Sequence, residues 1–115
     1  MRVVNRSVFL SLPAGTIFCK FEPLIFGDLL IKGETSSNDF MYQSIADAVD
    51  YENTDHFVDL MDKAAKDGAS VAMDFDCQSR DGLFDDNQLF AIWERQDVEG
   101  LIARLQKALS DSEAA

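Results

Sequence analysis

In the first half of the chain the apolar positions follow the two-residue period of β-strands. Ile17, Cys19 and Phe21 recur at every second position between residues 16 and 21, which is typical of a half-buried strand. Apolar runs over residues 29–32 and 40–45 predict two more strands, separated by a polar loop over 33–39. Ahead of them, residues 5–12 fit a short helix or an edge strand, and Pro13-Ala14-Gly15 provides a turn.

In the second half of the chain the apolar positions change to the period of a helix, return to the period of a strand, and end on a helix. Thr54 is a suitable N-cap and Gly68 a suitable stop for a helix whose apolar stripe is Phe57, Leu60, Met61, Ala64 and Ala65. Residues 71–75 alternate again and predict a half-buried strand, and residues 89–94 predict a central strand. Asp97 caps a last helix with the stripe Val98, Leu101, Ile102, Leu105 and Leu109.

The order of these elements is three strands, a helix, two strands and a helix. It predicts an α+β fold, in which a mainly antiparallel sheet of about five strands carries two helices packed on one face. A chain of 115 residues fits one domain. We therefore expect a single domain over residues 1–110 and a frayed tail over 111–115.

Composition limits where the protein can act. At 47 % hydrophobic residues the chain can bury a core. The densest apolar run, over residues 24–31, is interrupted by Gly27 and Asp28 and is too short for a membrane span. Cys19 and Cys77 stand alone, without a pairing or metal-binding motif, and are typical of reduced core cysteines. We expect a cytoplasmic protein that contacts neither membrane nor nucleic acid directly.

Charge is concentrated in the middle of the chain. Residues 47–86 hold 12 acidic and 3 basic side chains, a net charge of −9 out of −11 for the whole protein. A concentrated negative charge of this kind attracts positively charged partners and repels negatively charged ones. Asp55, Asp59 and Asp62 recur at helical spacing, near the spacing of backbone phosphates, although Lys63 and Lys66 stand where they can pair with two of them.

Catalytic and metal motifs are weak. Counted from Asp74, a calcium loop would have Asp76 and Asp85 in place, but Ser79 stands where the sharp turn needs glycine and Arg80 follows it. A solvated acidic hairpin fits residues 74–86 better. His56 is the single histidine, and neither cysteine has an activating base nearby in sequence. We therefore expect no enzyme activity, no metal and no cofactor.

Several short motifs carry a resemblance. The segment Leu12-Pro13-Ala14-Gly15-Thr16-Ile17-Phe18, the turn Phe26-Gly27-Asp28 and the acidic ending look like small accessory proteins of tailed phages. Within that group the chain resembles the anti-Thoeris signal sponges, small α+β proteins that oligomerise and sequester a cyclic ADP-ribose-type immune signal without degrading it.

The resemblance implies a function and a site. It implies a non-catalytic phage counter-defence protein in the host cytoplasm, a homo-oligomer that sequesters a small nucleotide-type signal. The family uses an asparagine and arginines of the C-terminal helix, and the corresponding ligand-binding residues here are Asn87 and Arg104. A second arginine one turn later is absent, because that position is Ala108.

The acidic window supports an alternative function. In that interpretation the protein mimics nucleic acid and occludes a basic host defence protein that binds DNA or RNA. The partner-binding residues would be Asp55, Asp59, Asp62, Asp74, Asp76, Asp85 and Asp86. The alternative rests on charge alone, whereas the sponge rests on the resemblance.

Overall fold

The computed structural model describes residues 1–46 and 48–113, which form seven strands and three helices. The strands are β1 (Arg2–Val4), β2 (Ile17–Glu22), β3 (Ile25–Phe26), β4 (Leu30–Ser36), β5 (Asp39–Ser44), β6 (Ser79–Arg80) and β7 (Leu89–Ile92). The helices are α1 (Arg6–Leu10), α2 (Thr54–Asp67) and α3 (Arg95–Glu113). All strand pairs are antiparallel, in the order β1-β7-β2-β4-β5-β6, and β3 pairs with β2. The predicted α+β class with an antiparallel sheet is confirmed.

Three strands are additions to the prediction, and each is short. β1, β3 and β6 contain two or three residues, too few for a periodic pattern to stand out. The predicted strand over residues 71–75 is wrong, because only an isolated bridge between Val49 and Met73 forms there. Phe75, expected on the buried face, is 74 % exposed.

Helix boundaries follow side-chain caps. Asn5 accepts a hydrogen bond of 2.9 Å from the amide of Val8 at the start of α1, so the segment over residues 5–12 contains the short helix Arg6–Leu10 rather than an edge strand. Asn53, and not Thr54, caps α2 by accepting from the amide of His56 at 2.9 Å. The predicted stop at Gly68 is confirmed, since this residue has φ of 68° and donates to the carbonyl of Ala64.

The core lies between α1 and the sheet. Four phenylalanines meet there, and Phe9 of α1 is at their centre, with its ring stacked on Phe90 at a centroid distance of 4.0 Å. Phe18 and Phe40 contact the same ring at 4.6 and 4.8 Å. The short helix α1 therefore contributes to the core more than its five residues suggest.

The two long helices are placed differently from the prediction. Neither α2 nor α3 contains a buried residue, so packing of two helices flat on one face of the sheet is not what the structure shows. α3 also continues to Glu113, beyond the expected end of the ordered domain at residue 110, whereas residues 114 and 115 lie outside the described residues. Among the described residues, no helix has the length and apolar character needed to cross a bilayer.

Candidate binding groove

An open groove lies between α3 and the hairpin formed by β2 and β3. Its volume is about 560 Å³, within the range of small-molecule sites. The wall on the sheet side contains Cys19, Phe26, Gly27 and Leu29. The wall on the helix side contains Gln96, Asp97, Gly100, Leu101 and Arg104, while Trp93 and Met1 complete the lining.

The sheet side is fixed by a close backbone approach. The amide of Gly27 donates to the carbonyl of Lys20 over 2.8 Å, which folds the hairpin back on β2. A Cβ atom at Gly27 would lie 3.0 Å from that same carbonyl oxygen. Phe21 and Phe26 pack across the hairpin with ring centroids 5.5 Å apart. The aromatic rim of the groove is thus held by local pairing.

The base of the groove is apolar. Cys19 is buried, and burial raises the pKa of its thiol. Cys77 differs, because it is exposed, and its prediction as a core residue is wrong. Phe90 is a core residue, whereas Trp93, three residues later, is only half-buried and forms part of the groove wall.

The polar end of the groove is the start of α3. Oδ2 of Asp97 accepts a hydrogen bond of 2.6 Å from the amino group of Met1 and one of 2.9 Å from the amide of Glu94. Both hydrogen bonds hold the pKa of Asp97 below its usual range, and the one from the amino group of Met1 has the larger effect. The Asp97 carboxylate is therefore already engaged. The prediction that Asp97 is the N-cap of this helix is wrong, because α3 begins at Arg95 and Asp97 lies inside its first turn.

Arg104 is the cation that the helix leaves uncompensated. Arg95 and Lys107 of α3 each pair with a carboxylate four residues on, Glu99 at 2.8 Å and Asp111 at 2.6 Å. The neighbours of Arg104 one turn away are Gly100 and Ala108. Within residues 1–46 and 48–113 no salt bridge involves Arg104. Its guanidinium is available to an anionic ligand.

Asn87 is placed apart from this groove. It lies in the exposed turn ahead of β7, where its amide donates to Oδ1 of Asp85 at 3.0 Å. It is not among the residues that line the groove. The structure therefore places one of the two predicted ligand-binding residues, Arg104, at the cavity, and the role of Asn87 stays a prediction.

The acidic residues of the alternative function lie mostly on the exposed surface. Asp55, Asp59 and Asp62 are exposed on α2, and Asp76, Asp85 and Asp86 are exposed farther along the chain, while Asp74 is half-buried. The row on α2 is partly neutralised, because Lys63 and Lys66 pair with Asp59 and Asp62 at 3.2 and 3.0 Å. Asp47, the first residue of the acidic window, lies outside the described residues.

Local geometry also accounts for part of the acidic segment over residues 74–86. The predicted hairpin there is wrong, because the strand of this segment, β6, pairs with β5. Oδ1 of Asp74 accepts from the amide of Asp76 at 2.8 Å, the arrangement of an Asx turn. In the described part of the chain, no group of three or more His, Cys, Asp or Glu side chains is arranged to hold a metal ion. These carboxylates shape loops and set the surface potential.

Comparison with known proteins adds no identity, since no family model, no curated protein and no solved structure matches the chain. Function is therefore argued from the groove. Its lining includes residues whose roles the sequence does not reveal, among them Phe26, Leu29 and Gly100. The one feature of the sequence that indicates this site is Arg104 itself, which has no acidic neighbour one turn before or one turn after it.

Proposed function

We propose that the protein is a non-catalytic binding protein that sequesters a small nucleotide-type ligand in the groove between α3 and the β2–β3 hairpin. The observation that carries this proposal is the position of Arg104, an arginine without a salt bridge in the described ranges, at the rim of an aromatic-walled cavity. A guanidinium binds phosphate through two parallel hydrogen bonds. The adjoining aromatic side chains offer a surface on which a base can stack.

The size and polarity of the groove support this ligand class. A cavity of about 560 Å³ accommodates a nucleotide-sized molecule. Trp93 and Phe26 supply flat apolar area, and Gln96 supplies an amide that both donates and accepts. The strongest negative charge of the protein lies in the window over residues 47–86, and none of the described residues of that window lines the groove.

Release of the ligand unchanged is part of the proposal. The groove contains one cysteine, which is buried, and no histidine. Asp97 is engaged by two donors, which lowers its usefulness as a general base. In the biological setting suggested by the resemblance, the protein would remove an immune signal in the cytoplasm of a phage-infected cell. The signal would be of the cyclic ADP-ribose type.

Trp93 provides the test, because it is the single tryptophan of the chain and lines the groove. Its fluorescence is titrated with cyclic ADP-ribose and linear ADP-ribose, using the wild-type protein and Arg104→Ala. Arg95→Ala is the matched control, an arginine of the same helix that does not line the groove. We expect saturable change in the wild type and the control, and at least a tenfold weaker affinity in Arg104→Ala. Equal affinity in all three proteins would reject Arg104 as the anchor.

A second candidate is the acidic inhibitor of a basic defence protein. It is supported by the exposure of Asp55, Asp76, Asp85 and Asp86 and by Phe75, an exposed aromatic residue between two aspartates. The ion pairs of Asp59 and Asp62 weaken it. It predicts a complex whose affinity falls steeply with salt, and which is lost when Asp55, Asp59 and Asp62 are replaced by lysine. A salt-independent complex would contradict this candidate.

A further inference from the structure

Arg80 of β6 is held in place by its neighbours and yet remains exposed. Its Nε atom donates a hydrogen bond to Oδ2 of Asp39, and its guanidinium lies over the ring of Phe84, 5.5 Å from the centroid. Its backbone pairs with Met41 of β5. The Asp39 side chain is 6 % exposed, whereas that of Arg80 is 65 % exposed. A buried carboxylate thus orients a guanidinium that solvent still reaches.

This ion pair differs from those on the helix surfaces. Arg95 and Lys107 pair with carboxylates four residues along the same helix, an arrangement that contributes little and that flexible side chains leave easily. Arg80 and Asp39, in contrast, are 41 residues apart. Oδ1 of Asp39 also accepts a hydrogen bond of 3.0 Å from the amide of Gly82. Because this second donor fixes the carboxylate, the guanidinium is held in one orientation before any ligand arrives.

Part of the hydrogen-bonding capacity of Arg80 is unused. A guanidinium carries N–H donors on all three of its nitrogens, and within residues 1–46 and 48–113 only Nε has a protein acceptor. The remaining edge is formed by Nη1 and Nη2, whose parallel N–H groups match the two oxygens of a carboxylate or of a phosphate. This edge is available to an acidic ligand.

A cavity of about 440 Å³ adjoins Arg80 at the turn between β4 and β5, within the range of small-molecule sites. The polar part of its lining includes Ser36, Ser37 and Asn38. Their hydroxyl and amide groups are further donors for an oxygen-bearing ligand. Phe84 and Met41 add apolar area to the same lining. The cavity therefore suits an acid that carries a small apolar body.

Two residues of this lining have an unfavourable backbone conformation. Ser37 has φ of 56° and Phe84 has φ of 51°. Among the described residues, the third non-glycine residue with positive φ is Leu24, which does not line this cavity. Left-handed φ is costly for a residue with a side chain, and for a bulky one such as Phe84 it is rare. Strain of this kind concentrates at sites that hold a ligand, where the surrounding structure maintains it.

We propose that this cavity, the Arg80 site, binds the carboxylate of a small monoanionic acid through Nη1 and Nη2 of Arg80. Asp39 already balances the charge of Arg80. A phosphate dianion would therefore bring two negative charges to a pair that has no net charge, whereas a carboxylate brings one. The apolar body of the acid contacts Phe84 and Met41. The Arg80 site shares no lining residue with the groove beside α3, so the inference does not depend on the function proposed for that groove.

Benzoate is the probe for this site, and benzamide is its uncharged control. The backbone amide resonances of Ser37 and Asn38 are followed by NMR during each titration at constant ionic strength. The proteins are the wild type, Arg80→Lys and Arg95→Lys. Lysine keeps a positive charge beside Asp39 but lacks the planar pair of donors. We expect saturable shifts with benzoate in the wild type and in Arg95→Lys, and roughly tenfold weaker binding of benzamide to the wild type and of benzoate to Arg80→Lys.

Three results would overturn the proposal. The first is that benzoate leaves the amides of Ser37 and Asn38 unshifted. The second is that benzamide, or folded Arg80→Lys, binds as tightly as benzoate binds to the wild type. The third is that phenyl phosphate binds more tightly than benzoate, which would contradict a monoanionic carboxylate as the ligand. If Arg80→Lys does not fold, the comparison of benzoate, benzamide and phenyl phosphate on the wild type decides the matter alone.

Discussion

Lys20 donates a hydrogen bond of 2.7 Å from Nζ to Oδ1 of Asp81, 61 residues away in the chain. Oδ2 of the same carboxylate lies 3.7 Å from the guanidinium of Arg6. The Asp81 side chain is 2 % exposed and that of Arg6 is 5 % exposed. One buried carboxylate thus connects α1, β2 and the segment that follows β6.

We expect Asp81→Asn to lower the free energy of unfolding by about 3 kcal/mol, because it leaves the buried Arg6 without its counter-charge. Urea denaturation monitored by circular dichroism measures this change. Asp85→Asn is the control, since Asp85 is exposed, and it should change stability by no more than about 0.5 kcal/mol. Equal effects of the two variants would show that Asp81 has no special role in holding the fold.

The ion pair between Asp39 and Arg80 should make stability sensitive to acid. The hydrogen bond from Arg80 is the main reason that the pKa of the buried Asp39 carboxyl lies below its usual range, and the amide of Gly82 also donates to it at 3.0 Å. Because the folded-state pKa is lowered, the stabilisation is present above the unfolded value of about 3.9. It is lost as the pH falls through the lower folded-state pKa.

Urea midpoints of the wild type and Asp39→Asn, measured at several values of pH from 7 to 2, test this prediction. We expect the two curves to converge as the pH falls below about 4. A constant difference across that range would mean that the carboxylate of Asp39 does not contribute through its charge.

Phe9 should be the most sensitive position in α1. Its ring contacts three other phenylalanines and lies under the ammonium of Lys32 at 5.7 Å. Phe9→Ala should cost about 3–5 kcal/mol, a large part of the total stability of a small domain. Val8→Ala, at an exposed position of the same helix, is the control for truncation to alanine outside the core. Thermal unfolding followed by calorimetry compares the two, and similar melting temperatures would contradict the proposed centre of the core.

Leu24 offers a substitution that should stabilise the protein. It has φ of 69° at the tip of the β2–β3 hairpin, and its side chain is 99 % exposed. A left-handed conformation costs an ordinary residue about 1–2 kcal/mol, and asparagine tolerates it better. Leu24→Asn should therefore raise the free energy of unfolding by about 0.5–1 kcal/mol in urea titrations. A decrease would show that Leu24 makes a stabilising contact that the strain only partly offsets.

The sequence predicts those parts of the fold that depend on local order. Periodicity indicates β2, β7 and both long helices, and the glycine at position 68 marks the end of α2. Prediction from periodicity fails where a strand forms only if a neighbouring strand pairs with it. Val71, Met73 and Phe75 alternate like a strand, but the neighbour they find is a single bridge at Val49. The two-residue strands β3 and β6 exist only because a longer strand pairs with them.

The groove is predictable only in part for a similar reason. Arg104 is predicted through the resemblance, and its lack of an acidic neighbour one turn away can be read from the sequence. Cys19 and Phe26 cannot be assigned to the same cavity by periodicity, because tertiary packing brings them to α3. The stripe of α3 raises the same difficulty, since the pattern that predicts an apolar face does not specify what covers it.

The most direct test of the proposed sequestration is native mass spectrometry of the wild type, Arg104→Ala and Arg95→Ala. Each protein is measured before and after incubation with an extract of phage-challenged cells. We expect the wild type and Arg95→Ala to gain several hundred daltons per site, Arg104→Ala to gain none, and the released molecule to have its original mass after denaturation. Equal capture by Arg104→Ala, a chemically altered product, or no gain in mass by the wild type would contradict the account.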